Sequence, residues 1–223
     1  MTAPCFIFDL DGTLVDNVYE HVAAWKKAFN EAGIRAPTWR IHRRIGMSGE
    51  RLVSEVAQEA GAPLTGEAAD RVHKRHGEIF NAMELRSAPL PGAAALLAHL
   101  SQQGATWSIA TSGHAENAHG ALAALNVDLN AAVVVTGDQV KKAKPAPDLF
   151  LEAARRLKRP PAEALVVGDS VWDMQAAVAA GARGVGLRCG GYAAAELEAA
   201  GATHVYDDPA DLLARIGELM PSG

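Results

Sequence analysis

Short, largely apolar runs that stop at a polar or small residue constrain this chain more than any other feature. Cys5-Phe6-Ile7-Phe8 ends at Asp9, and Trp107-Ser108-Ile109-Ala110, Ala132-Val133-Val134-Val135, Leu165-Val166-Val167 and Gly184-Val185-Gly186-Leu187 share its form. Runs this short, apolar without alternation, predict strands buried on both faces. Helical patterns lie between them: Leu96, Leu97 and Leu100 before Gly104; Leu122 and Leu125; Phe150, Leu151, Ala154 and Leu157 after Pro147; Met174, Ala177 and Val178 before Gly181. Proline suits a first helical turn and glycine a helix end. Buried strands alternating with helices predict an α/β fold, a doubly wound, Rossmann-like parallel sheet with helices on both faces. The chain has 223 residues, 49% of them hydrophobic, enough for such a core and a smaller insert.

Residues 17–88 break the rhythm and supply the insert. Val18, Val22, Trp25 and Phe29 form one helical stripe closed by Gly33, and Leu52, Val56 and Ala60 a second between Ser48 and Gly61. Val72, His76, Ile79 and Met83 form a third after Thr65, and no strand is predicted in the block. Pro89-Leu90-Pro91-Gly92 marks the return, because proline ends helices and restricts the residue before it. The expected organisation is a core of residues 1–16 and 89–223 around an inserted all-helical domain of residues 17–88.

Charge and cysteine usage narrow the function classes. The net charge is −5 and no long basic block occurs, which argues against nucleic acid as the main partner. An anionic small molecule stays open, since a local cation outweighs a mildly acidic surface. Cys5 and Cys189 stand alone, without the spacing of a zinc site or a disulfide scaffold. Met1-Thr2-Ala3-Pro4 has no basic segment before a long apolar one, and no run reaches bilayer length. A cytoplasmic protein with no membrane partner is expected. The sequence sets no oligomeric state.

Ligands of open parallel sheets bind beyond the carboxyl ends of the strands, and four motifs fall there. Asp9-Leu10-Asp11-Gly12-Thr13 offers two carboxylates able to divide nucleophilic and proton-transfer work; it also reads as a polar turn or a cation holder. Thr111-Ser112-Gly113 offers hydroxyls and main-chain N–H groups to phosphate, or simply caps a helix. Lys144, in Lys144-Pro145-Ala146-Pro147-Asp148, is either a fixed cation or a surface lysine. In Gly168-Asp169-Ser170-Val171-Trp172-Asp173, Asp169 is placed to bind a hard cation. Asp173 either supports that site or completes a capping box with Ser170.

In order, Asp9-x-Asp11-x-Thr13, Thr111/Ser112, Lys144 and Gly168-Asp169-(x)3-Asp173 resemble the motifs of the haloacid dehalogenase superfamily, within it the phosphoglycolate phosphatase and β-phosphoglucomutase-like group. The likeness covers the whole chain, with the helical insert similar to that family's small mobile cap. It implies a magnesium-dependent phosphatase acting on a small phosphorylated metabolite, a sugar phosphate or a phosphoglycolate-like ester. Asp9 would attack phosphorus, and Asp11 would protonate the leaving oxygen and then activate water. Mg²⁺ would be held by Asp9, Asp169 and the main-chain carbonyl of Asp11, with Asp173 in support. Thr111, Ser112 and Lys144 would bind the phosphoryl group.

The presence of Asp11 separates the chain from true dehalogenases, which lack it. A phosphosugar mutase is the alternative, because residues 16–25 resemble the start of the β-phosphoglucomutase cap, and His21 matches a histidine that positions the acid/base aspartate. Those mutases carry a cap arginine just after a Gly-x-Ser stretch, whereas Gly46-Met47-Ser48 is followed here by Gly49, with Arg51 two places later. A non-catalytic phosphate or metal sensor is a further alternative. His21, Gly46, Met47 and Ser48 are expected at the mouth of the site. Hinges are expected at Asp16-Asn17 and Leu85-Arg86-Ser87-Ala88-Pro89. The basic stretch containing Arg35, Arg40, His42, Arg43, Arg44 and Arg51 is expected mainly to face water, or else a second anionic group on the substrate.

Overall fold

The computed structural model describes residues 4–83, 88–125 and 132–219. Strand β1 (Cys5–Phe8) leads through β2 (Val15–Asp16) into helices α1 (Val18–Glu31), α2 (Thr38–His42), α3 (Gly49–Glu59) and α4 (Glu67–Ala82). The chain returns through β3 (Ala88–Pro89) and continues as α5 (Ala93–Gln102), β4 (Thr106–Ala110), α6 (Ala115–Ala124), β5 (Val133–Val135) and α7 (Asp148–Leu157). It ends as β6 (Ala164–Gly168), α8 (Val171–Ala180), β7 (Arg183–Leu187), α9 (Ala194–Ala199), β8 (Ala202–Tyr206) and α10 (Pro209–Ala214).

Six strands form one parallel sheet in the order β5-β4-β1-β6-β7-β8. This is the doubly wound α/β architecture. The period-two geometry of a strand divides β1 between two cores. Phe6 and Phe8 join Leu96, Leu100 and Leu165 on one face, while Cys5 and Ile7 join Phe150, Ala153 and Ala177 on the other. Each large apolar side chain buried this way contributes about 1.5–3 kcal/mol. From β1 the chain proceeds one way to β4 and β5, then crosses back to β6, β7 and β8. The carboxyl ends of β1, β4 and β6 therefore flank the crevice where the strand order reverses.

Helices α1 to α4 gather a separate apolar cluster that includes Val22, Trp25, Phe29, Leu52, Val56 and Ile79. Leaving and returning chains pair as a short antiparallel ladder, Val15 with Pro89 and Asp16 with Ala88. That ladder corrects the expectation of no strand up to residue 88, and α2 is a helix that the stripes did not mark. Of the expected hinge residues, Leu85, Arg86 and Ser87 lie outside the described residues.

Other local differences have physical causes. Ala132 precedes β5 rather than joining it. Leu151 and Val178 belong to the helical patterns but face outward, 40% and 57% exposed; Leu149, Phe150, Ala153 and Ala154 make the inner face of α7 instead. Strand β8 escaped notice because it is the sheet edge, where Thr203 and His204 interrupt the apolar run. Helix α8 ends as expected at Gly181, whose φ of 72° suits the residue closing a helix. Among the described residues no helix is long and apolar enough to cross a membrane.

Candidate active site

The polar residues that end β1, β4 and β6 meet at the crevice. The β1–β6 ladder extends one step, as Asp9 N–H donates to the Val167 carbonyl at 2.8 Å. A tight loop follows, with Leu14 N–H donating to the Leu10 carbonyl at 2.9 Å and Gly12 N–H to the Val15 carbonyl at 2.8 Å. Gly12 has a φ of +80°, and a Cβ there would lie 2.6 Å from Asp169 Oδ2. Both the backbone and the close approach thus require glycine. Gly190, in the turn after β7, also leaves no room for a Cβ beside the Asp169 carboxylate. The sequence reading missed Gly190; its signal was the Gly190-Gly191 pair beyond a strand.

Asp9, Asp169 and Asp173 are buried, and each offers a carboxylate oxygen within 4.8 Å of the others. Thr13 Oγ1 donates to Asp169 Oδ1 at 2.8 Å. The fully buried Lys144 ammonium pairs with Asp9 Oδ1 and lies 2.7 Å from Asp173 Oδ1. Asp173 belongs to this acidic cluster and also caps a helix. It completes the capping box of α8, accepting from the Ser170 hydroxyl at 2.5 Å and the Ser170 N–H at 3.1 Å, and its other oxygen holds Lys144.

These contacts set the charges. Burial raises the Asp9 carboxyl to about 7, opposed by Lys144 and reinforced by Asp173 and Asp11. Burial, then the Asp173 and Asp9 charges, raises Asp169 well above the carboxylate range. Burial works against the Lys144 ammonium, yet Asp173 and Asp9 more than offset it and its pKa is raised. Three buried acids thus share one buried ammonium.

Asp11 faces elsewhere. Asn17 Nδ2 donates to its Oδ1 at 2.5 Å, Thr111 Oγ1 to its Oδ2 at 3.2 Å, and His21 Nε2 lies 3.5 Å away. Burial would raise Asp11, but hydrogen bonds from His21 and Asn17 hold it below its ordinary value. His21 Nδ1 lies 3.2 Å from His76 Nε2, and its ring stacks 3.8 Å from Phe80. His76 in turn stacks 3.8 Å from Trp25. Burial, then His21 and His73, keeps the His76 imidazole well below its ordinary pKa. Sequence reasoning placed His76 only as a packing residue; no local signal couples two histidines so far apart in the chain.

The remaining expected residues sit on the seam between insert and core. Gly46 and Met47 line a cavity of ≈ 70 Å³ with Asp9 and Asp11. Ser112 Oγ donates to the Gly46 carbonyl at 3.0 Å, and Ser48 N–H donates to the Lys144 carbonyl at 3.0 Å. The Ser112 hydroxyl, expected to bind phosphate, therefore ties the insert to the core. Further along the seam the Arg43 carbonyl accepts from Tyr192 Oη at 2.7 Å and Trp172 Nε1 at 3.3 Å. The Arg43 guanidinium covers the Tyr192 ring at 3.8 Å and pairs with Glu196.

A paired nucleophile-type carboxylate, a second carboxylate opposite it and a buried ammonium can bind a phosphoryl group and move a proton at its ester oxygen. Comparison with known proteins points the same way. A family model described as haloacid dehalogenase-like hydrolase matches residues 3–181. Hexitol phosphatase A of Escherichia coli (strain K12) is 34% identical over 179 residues, 79% of each protein. The bifunctional riboflavin kinase/FMN phosphatase of Arabidopsis thaliana is 30% identical over 182 residues, and the match spans 80% of this chain and 47% of that protein, about half its length. A solved hydrolase from Pseudomonas syringae superposes with a TM-score of 0.94 at 47% identity, covering 97% of this chain and 99% of the other.

Proposed function

The chain belongs to the haloacid dehalogenase-like hydrolase family and is one of its phosphatases, and from that premise we propose that it hydrolyses a small phosphate monoester through an aspartyl-phosphate on Asp9. One observation carries the reading: Asp9 lines a cavity and pairs with a fully buried ammonium, with Asp11 lining the same cavity.

In the proposed first step an Asp9 carboxylate oxygen forms a bond to phosphorus as the ester P–O bond breaks, and Asp11 gives its proton to the departing alkoxide. In the second, water attacks the aspartyl-phosphate, Asp11 takes its proton, and the bond between phosphorus and Asp9 breaks to release phosphate. Covalent catalysis of this kind divides one hard displacement into two easier ones. Lys144 meets the phosphoryl oxygens, and the Thr111 hydroxyl, which donates to Asp11 in the free protein, turns to them when the phosphate enters. With the Ser112 hydroxyl on Gly46, the share of Ser112 is its main-chain N–H.

The acidic excess fits a bound cation. Asp9 and Asp169 carry raised pKa values, whereas a nucleophilic Asp9 must be ionised, and added positive charge lowers both. Asp9, Asp169 and the main-chain carbonyl of Asp11 would hold Mg²⁺, the oxygen donor set that a hard cation prefers. Asp173, engaged by Ser170 and Lys144, backs the site by fixing Lys144. Mg²⁺ bound there supplies positive charge to a phosphoryl oxygen. His21 holds Asp11 toward the cavity, and an arriving phosphate dianion raises the Asp11 pKa toward the protonated form that it needs.

The mutase alternative requires a grip on a second phosphate, and position 49 is glycine. Arg51 is paired with Glu55 at 2.7 Å instead. The test is phosphate release from an aryl phosphate with and without Mg²⁺, by the wild type and by Asp9→Asn. The wild type should turn over only with the metal, and Asp9→Asn should fall below about one per cent of it. Wild-type inertness, or a few per cent of activity surviving in Asp9→Asn without deamidation, overturns the proposal.

A further inference from the structure

Two hollows share a wall that holds two histidines. The inner one, ≈ 70 Å³, has Asp9 and Asp11 on its walls with Trp25 and Met47. The outer one, ≈ 400 Å³, carries Arg51, Lys141 and Lys142 together with Glu50 and Asp138. Gly49, His73, Ser112 and His114 line both hollows and so stand between them. His73 comes from α4 and His114 precedes α6, and their rings meet edge-on at 5.2 Å. Gly49 makes this arrangement possible, because a Cβ there would collide with the His73 ring at Nε2.

The hollows differ in size and in their cations, for lysines line only the outer one. Among the described residues lining the inner hollow there is no lysine or arginine, and two are carboxylates. Burial, then His114, holds the His73 imidazole below its ordinary pKa. Four arginines of the basic stretch are engaged elsewhere: Arg40 with Glu59 at 3.2 Å, Arg44 with Glu55 at 3.2 Å, Arg51 with Glu55, and Arg43 with Glu196. A second anionic group entering the inner hollow would lose its hydration and find no counter-charge. Beyond the partition it would meet the exposed Lys141 and Lys142.

We propose that His73, seated against Gly49, sets the substrate class: it closes the inner hollow so that the enzyme takes phosphate monoesters of small uncharged alcohols, such as polyols, and rejects those bearing a second phosphate or a carboxylate. The inference rests on the phosphatase reading and narrows it, placing a polyol or sugar monophosphate ahead of phosphoglycolate. Removing the imidazole joins the inner hollow to the outer one and opens a place for the second anion beside Lys141 and Lys142.

The experiment measures kcat/KM for a hexitol 6-phosphate and for fructose 1,6-bisphosphate in four proteins: wild type, His73→Ala, Gly49→Ala and the double variant. Thermal melts check folding, and an aryl phosphate reports the chemistry. The bisphosphate-to-monophosphate ratio should rise about tenfold or more in His73→Ala, within the range by which pocket shape discriminates substrates. It should rise also in Gly49→Ala, whose methyl group pushes the ring aside, and the double variant should match His73→Ala, because both changes act through one ring. An unchanged ratio in His73→Ala, or effects that add in the double variant, overturns the role of His73. A wild type that hydrolyses neither the aryl phosphate nor either ester removes instead the phosphatase reading on which the inference stands.

Discussion

Lys144→Met replaces a fully buried ammonium with an apolar chain of similar length. In the native protein that ammonium pairs with Asp9 and lies 2.7 Å from Asp173, with Asp169 in the same carboxylate cluster. Its loss leaves three buried acids without their cation. Breaking a buried pair from one side costs about 3–5 kcal/mol. For a chain of this size each kcal/mol corresponds to about 2–4 °C, so the melting temperature should fall by about 6–20 °C at pH 8. The loss has a pH signature. Without Lys144 the carboxyl pKa values, already raised by burial to about 7 at Asp9, rise further. The folded variant then binds protons that the unfolded chain releases above about pH 4, so its stability increases as pH falls. The gap to the wild type should therefore narrow between pH 8 and about 5.5. Added Mg²⁺ stabilises both proteins, by about 2.7 kcal/mol at a hundred times the Kd, and should narrow the gap because the variant, lacking the ammonium that competes for the same carboxylates, binds it more tightly. The assay is circular-dichroism melting of both proteins across that pH range, with and without Mg²⁺. A loss under about 1 kcal/mol, constant with pH and indifferent to Mg²⁺, would refute the view that Lys144 neutralises this cluster. Phosphatase kcat/KM should fall by about 10²–10³, as for loss of a charge aimed at the reacting group.

Three further outcomes follow from the same geometry. Excess chelator should abolish phosphatase activity and lower the melting temperature, with Mg²⁺ restoring both and Ca²⁺ restoring stability alone; full activity in chelator contradicts the cation site. His76 is buried with a depressed pKa. Below about pH 6.5 the unfolded chain takes up a proton that the folded imidazole refuses, so stability drains away as pH falls toward 5. His76→Phe, which keeps the stack on Trp25, should flatten that limb of the melting curve, and an unaltered slope places the titration elsewhere. Tyr192→Phe removes one of two donors from the Arg43 carbonyl and should lower stability by about 1 kcal/mol, or about 2–4 °C; an unchanged melting temperature shows that this seam contact carries no net energy.

Much of this molecule is legible in one dimension, because burial writes short-range patterns. A strand covered on both faces must be apolar throughout, so Cys5-Phe6-Ile7-Phe8 and Leu165-Val166-Val167 announce themselves. The polar residues that stop them, Asp9 and Asp169, mark the strand ends where a parallel sheet gathers ligands. The edge strand β8 has solvent beside it and little pattern to read.

The tertiary structure decided what depends on neighbours remote in sequence. Whether Lys144 was a surface residue or a buried cation turned on β6 lying beside β1, which brings Asp173 within reach of a lysine that also meets Asp9. Asp173 could be read as helix cap or site residue, and a carboxylate with two oxygens serves both contacts. The basic stretch after α1 could face substrate or water, and the packing of α2 against α3 gave Arg40 and Arg44 to glutamates, while Arg51 met Glu55 within α3. Gly49 showed only that an arginine was missing, while the His73 ring in its place becomes visible once α3 and α4 pack face to face. Hydrophobic periodicity is local and survives in the sequence, but ion pairs and cavity walls are set by distances between elements, and those exist only after the sheet has chosen its strand order.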